Sequence, residues 1–346
     1  MKITRLLFLC LVPLFYCQIL AAQRDASPAS ATNPSSCHDA SFVASSGNNF
    51  RGDGECGATF NDDGGGGIDV DTRDVILRFL DCTTKRDEIV EEDDRPFHIQ
   101  GWRWHSMSLI RDSRRLERLS RHLANITKDR DDEESSFGFE ALERAANYVI
   151  NFNMAGLFRI QSVFLNFLRK HLCDEESLGL FSEGENYAAE ADAFRKLIDA
   201  IDKGRDRSEH VGRQLYDSAN ASSKSSESFQ NKQRLLGEVA RSSRRLVDLL
   251  ASMRKLQETL IVPAISRVIP SKVQKSFNSK VLLSLGLLES RLHLVGMYDT
   301  VWESEIEAEK VKFEKEIPYV ARMMIERWRQ SLYIPKAGAL DYGLSI

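Results

Sequence analysis

Apolar residues return at helical spacing along most of this chain, and the longest such stripe runs from Phe139 to Leu172. Leu142, Ala146, Val149, Met154, Leu157, Phe164 and Leu168 fall on it, so at 3.6 residues per turn the pattern predicts one continuous helix with one buried face. Gln161 sits inside the stripe, where an amide must find buried hydrogen-bond partners; it is a structural pin or what remains of a polar site. No proline occurs between Pro96 and Pro263, which together with repeated stripes argues for long helices joined by polar loops.

A short helix is predicted over 71–81, on Val75, Leu77 and Leu80. The next covers 101–124 and turns Trp102, Leu109, Leu116, Leu119 and Leu123 inward, with His105 on the same face. The acidic loop 129–134 ends it, and Ser136 is the expected cap of the central helix. A third helix is predicted over 186–203, and the stretch 218–228, with six serines in eleven residues, reads as a flexible connection. From 230 to 262 a further helix buries Leu246, Leu250, Met253, Leu260 and Ile261, and Pro263 and Pro270 mark bends. A fifth covers 272–297 with Leu282, Leu285, Leu288 and Leu292; a sixth covers 301–332 with Trp302, Ile306, Phe313 and Ile325, kinked or split at Pro318. These elements predict an all-α, up-and-down bundle over 68–334, a four-helix core with extra C-terminal helices, followed by a tail over 335–346.

What precedes the bundle differs in composition. Lys2 and Arg5 stand before an apolar run from Leu6 to Ala22 that ends in small residues, the order of parts in a signal peptide over 1–22. A membrane anchor is the competing reading, against which stand Pro13 and a run short of the roughly 20 residues that a span needs. Residues 23–67 are rich in Ser, Ala, Asn, Asp and Gly and have too little apolar content to fold alone, so they read as a disordered arm. The Ser/Ala-rich, acid-poor part 24–36 also has the composition of a transit peptide behind a signal. The localisation expected is therefore the secretory pathway or outside the cell, with an organelle reached through both signals as the alternative. The acidic, Gly-rich stretch 61–74 lacks the alternating spacing of a calcium loop and reads as a linker.

Charge excludes one class of partner. The net charge of −4 comes from basic and acidic residues interspersed along the helices, with no basic run, and nothing points to nucleic acid. Removing the signal leaves Cys37, Cys56, Cys82 and Cys173, an even number, compatible with disulfides in any of three connectivities. Two sequons, at Asn125 and Asn220, fall where inter-helix loops are expected and are glycosylation candidates. There is no nucleophile elbow, phosphate loop, Cys-x-x-Cys or dinucleotide fingerprint, so the chain reads as non-enzymatic.

Two helices carry one local pattern: Leu157-x-x-x-Gln161 before Phe164, Leu165 and Phe167, and Met253-x-x-x-Gln257 before Leu260, Ile261 and Pro263. With the helix order and His105 in the first long helix, this resembles the hemerythrin-like (HHE cation-binding) bundles over residues 97–298. In that family the metal-carrying helices bear His-x-x-x-Glu before an apolar run. The resemblance implies a four-helix bundle with a di-iron site in its interior, but here Leu157 and Met253 stand in the histidine positions and Gln161 and Gln257 in the carboxylate positions. An amide supplies a dipole but not the charge that offsets a metal.

The ligand candidates that remain are His105, Glu258 and His293; Glu289 and His293 lie one turn apart, a spacing that serves an ion or simply pairs an imidazole. Glu258 also has Arg254 and Lys255 beside it and is a candidate for a solvated ion pair. His171 with Glu175 reads as a helix-terminal charge cluster and Trp102 with Trp104 as core. The expectation is a non-enzymatic hemerythrin-like bundle with a lost or altered metal site and no cofactor. The alternatives are an active bundle binding iron through the three candidates, and a helical scaffold for a protein partner.

Overall fold

The computed structural model describes residues 68–86, 97–127, 133–179, 187–224 and 229–342, and every regular element among them is helical. The predicted signal peptide and arm, Cys37, Cys56, the side chain of Cys82 and those of Leu282 and Leu288 lie outside the described residues. No helix among the described residues is long and apolar enough to cross a membrane.

Helix α1 (Val70–Arg86) begins where Asp69 accepts from the Thr72 amide at 2.7 Å and from its hydroxyl at 2.8 Å, an aspartate N-cap. It turns Ile76, Phe79 and Leu80 inward and leaves Leu77 outside, a rotation from the expected face that follows from Phe79 packing edge-on against Phe194 at 5.6 Å. Helix α2 is Gln100–Ile126. A single rod is then built from α3 (Glu133–Asn147), a π-helical turn (Tyr148–Met154) and α4 (Ala155–Leu172). Ser136, the expected cap, thus lies inside α3 rather than before it. After the short α5 (Glu175–Gly179), α6 runs from Tyr187 to Lys224, 38 residues, and the serine-rich segment expected as a loop is helical as far as Lys224. Its serines are accommodated by back-bonding: Ser208 donates to the Gly204 carbonyl and Ser222 to that of Ala219.

Helix α7 (Phe229–Leu256) continues through a second π turn (Gln257–Ile261) into α8 (Val262–Val268), so Pro263 does not end the helix; it falls in the first turn after the π segment, where its missing N–H is tolerated. The expected fifth helix is two, α9 (Ser271–Leu285) and α10 (Leu287–Glu303), parted at Gly286, whose φ of 74° is left-handed and suits glycine. The expected sixth is likewise divided, into α11 (Glu307–Glu316) and α12 (Tyr319–Trp328), with the break at Pro318 as foreseen. A third π turn (Arg329–Tyr333), α13 (Ile334–Ala337) and a 3-10 turn (Gly338–Asp341) finish the described chain. Ile306, expected inside, is exposed because it lies in the link before α11.

Four rods form the core: α2, α3–α4, α6 and α7, each antiparallel to the next. Leu123 of α2 lies at Gly138 and Trp102 packs against Phe164 with ring centroids 4.5 Å apart, so α2 and α3–α4 run in opposite directions. Glu143 meets Ser223 at one end and Arg169 meets Asp199 and Asp202 at the other, which orients α6 against α3–α4. Ser120 bonds the Leu236 carbonyl while Arg103 reaches Glu258, which orients α7 against α2. Leu116, Leu119, Leu142, Phe164, Leu197 and Leu246 are fully buried between them; each such side chain is worth about 1.5–3 kcal/mol on leaving water. Outside this core, α9 packs Phe277 against Phe164 and Phe167, and α10 lies along α2.

Candidate functional site

Polar residues gather in the interior where α2, the first π turn, α10 and the third π turn meet. His105 of α2 is buried, and its Nε2 lies 3.0 Å from Asn153 Oδ1; Asn153 Nδ2 donates to Asp112 Oδ2 at 2.8 Å. Asp112 pairs with Arg111 at 2.7 Å, and Arg111 donates onward to the Tyr333 hydroxyl at 2.7 Å. Tyr333 is hydrogen-bonded in turn to Tyr148, their rings edge-on at 5.8 Å. Close backbone approach makes this possible. At Gly296 a Cβ would stand 2.9 Å from Ser108 Oγ, so only glycine lets α10 come this near to α2.

The direction of these bonds fixes protons. Burial pushes the Asp112 carboxyl upward, the guanidinium beside it pulls it back, and contact at 2.7 Å keeps a carboxylate there. The amide of Asn153 must then turn its NH2 to Asp112 and its oxygen to His105, so His105 carries its proton on Nε2 and its Nδ1 lone pair is left without a hydrogen-bond partner. Desolvation, and after it the neighbouring His293, holds the His105 pKa well below the usual value, so the ring is neutral.

His293 completes the cluster from α10. Its ring lies 4.3 Å from that of His105 and is stacked on Phe152 at 4.5 Å and 14°. Burial, helped by Arg159, lowers its pKa to about 3. Glu289 stands 3.6 Å away but does not raise it, because both its oxygens are already held by Arg159 at 2.5 and 3.2 Å. His293 Nε2 has no hydrogen-bond partner and faces the backbone at Gly156, where a Cβ would collide with the imidazole. Gly156→Ala is expected to cost about 1–3 kcal/mol, read as a lowered urea midpoint, by driving His293 from its slot.

The structure brings together two of the three ligand candidates. Glu258 is elsewhere: it accepts from Arg103 at 3.0 Å and Arg254 at 2.8 Å on the α2–α7 flank, in the ion-paired role that its neighbours foreshadow. Arg103 bridges from it to Glu309, which also accepts from Trp104 Nε1 at 3.0 Å; burial acts to raise the Glu309 pKa, but these two donors leave it lowered. Among the described residues no three His, Cys, Asp or Glu side chains are grouped so as to hold a metal ion.

Leu157, Gln161, Met253 and Gln257, the four positions of the repeated pattern, are all buried, and Gln161 Nε2 has no hydrogen-bond partner. Gln257 opens the second π turn. Cys173, at the end of α4, has a free thiol whose pKa burial raises to about 11. The sequons stand on helices rather than in loops: Asn125 is exposed in the last turn of α2, whereas Asn220 lies within α6 with its Oδ1 buried.

Asn153, Asp112, Arg111, Tyr148 and Tyr333 are the residues that sequence reasoning missed. Asp112 had a signal: it falls three residues after Leu109 and four before Leu116, on the buried stripe of α2. Comparison of the chain with protein-family models, curated proteins and solved structures finds no match.

Proposed function

We propose that this is a non-enzymatic helical-bundle protein, hemerythrin-like in build, whose interior holds a neutral hydrogen-bonded pin in the place of an ion site. The observation that carries this reading is the commitment of His105: its Nε2 is spent on Asn153, which is spent on Asp112, which Arg111 compensates. The titratable groups around the imidazoles are uncharged or internally paired, so the cluster has no free carboxylate to offset a cation. Metal analysis of the purified full chain is expected to find iron and manganese far below one equivalent. Stoichiometric metal would overturn the reading.

One observation favours a second reading, a cation-binding bundle: His105 Nδ1 and His293 Nε2 are both without hydrogen-bond partners, on rings 4.3 Å apart. That reading requires metal in the purified protein and its loss in His105→Ala; metal retained by that variant would remove it.

A further inference from the structure

The flank where α2 and α7 lie side by side carries positive charge that the interior cluster does not use. A groove of about 260 Å³ runs there, lined by the apolar Ile110 and Ala251 and by the charged Arg114, Arg254, Lys255 and Glu258. Glu258 is occupied by Arg103 and Arg254, whereas Arg114 and Lys255 are exposed and form no ion pair among the described residues. Helical register extends the pattern. Arg118 stands one turn beyond Arg114, and Arg244 about three turns before Lys255, on the sides of α2 and α7 that border the groove. Both are exposed and without an ion pair among the described residues. Asp248, exposed one turn after Arg244 on the same side of α7, is the opposing charge there, and the four cations outnumber it, so in a chain of net charge −4 this flank is locally positive.

We propose that this groove binds a short oligophosphate, a linear ligand carrying three or more phosphate groups. Three of the four cations are arginines, whose planar forks meet phosphate oxygens two at a time, and antiparallel rods present them in a row rather than as a ring. The volume falls just below the roughly 300–1,000 Å³ of sites for drug-sized molecules, so the occupant is small. No aromatic side chain lines the groove, so a nucleic-acid strand would find no surface on which to stack its bases. None of the exposed large apolar side chains lines it, so a bilayer would gain no anchor.

Titration calorimetry of the full chain with sodium tripolyphosphate, at low and at physiological salt, tests this. Binding that weakens steeply with salt is expected, reduced about tenfold or more in Arg114→Gln/Lys255→Gln as the loss of a charge-assisted contact implies. A control, Lys203→Gln/Arg213→Gln on exposed positions of α6, is expected to bind as the unaltered chain does. Arg118→Gln/Arg244→Gln supplies a second reading of the same groove should the first variant fail to fold by circular dichroism, and is expected to weaken binding as well. Absence of tripolyphosphate binding by the unaltered chain overturns the proposal, as does an equal loss in the α6 control. So does binding to duplex DNA or to anionic phospholipid vesicles that tripolyphosphate does not compete away.

Discussion

Arg111→Ala is expected to destabilise the bundle by about 3–5 kcal/mol, the range found when one partner of a buried ion pair is removed. Asp112 is fully buried, and the guanidinium is what makes a carboxylate tolerable there; the same side chain supplies the donor to Tyr333. Its loss strands a charge and leaves the phenol of the third π turn without its 2.7 Å partner. A paired change separates this cause from simple loss of packing. In Arg111→Met/Asp112→Asn the charge is gone, yet an amide oxygen still faces Asn153, and more than half of the lost stability is expected to return. Urea midpoints of the two variants and the unaltered chain, with unchanged m values, measure it. A double variant as unstable as Arg111→Ala would mean that the pair acts through packing alone.

Acid should undo the same region. His105 and His293 are neutral in the fold because burial lowers both pKa values from 6.5, that of His293 to about 3. The unfolded chain takes up those protons as pH falls below 6.5 and the folded chain does not. The stability they allow is therefore complete above pH 6.5 and is lost as pH falls below it, for His293 between 6.5 and about 3. For His293 each pH unit below 6.5 costs about 1.4 kcal/mol, hence about 2 kcal/mol by about pH 5, and His105 acts in the same direction. Asp112, shifted upward, acts with the opposite sign at the acid end, since its folded form holds a proton more readily than the unfolded one. That contribution is shared by a His293→Leu variant, so the difference isolates the imidazole: the fall in stability from neutral pH to about pH 5 is expected to be about 2 kcal/mol smaller in the variant. Equal slopes would show that His293 takes up no proton on unfolding in that range.

The helical class and three of the four rods were legible because their stripes are long, as in α2, where Trp102, Leu109, Leu116, Leu119 and Leu123 are all buried as read, whereas α6 was read only over 186–203 of its 38 residues. What was not legible had local causes. Serine-rich 218–224 reads as a loop on propensity, but Ala219 and Ser222 are buried against the bundle, and that packing outweighs the propensity. Gly286 and the link after Glu303 cut helices whose apolar spacing runs straight through the cuts. In the site, His105 was selectable as a histidine on an apolar face and His293 by its one-turn spacing from Glu289. Their contact was not, because α10 lies outside the four-rod core and nothing in its spacing says which rod it follows. Asn153 escaped for a different reason. The central stripe steps from Val149 to Met154, five residues where three or four are regular, and that irregularity is the π turn that brings Asn153 round to His105.

The π turn also acts as a vernier. One residue beyond the α-helical count rotates everything downstream by about 100° about the rod axis. Removing a single residue from Tyr148–Met154 would leave a chemically unobjectionable helix, yet it would swing Leu157, Gln161 and Phe164 away from the interior while Leu142 and Val149 stayed in place. The lengths of the two halves are therefore not independent: this rod can gain or lose whole turns at its ends far more cheaply than it can lose one residue in its middle.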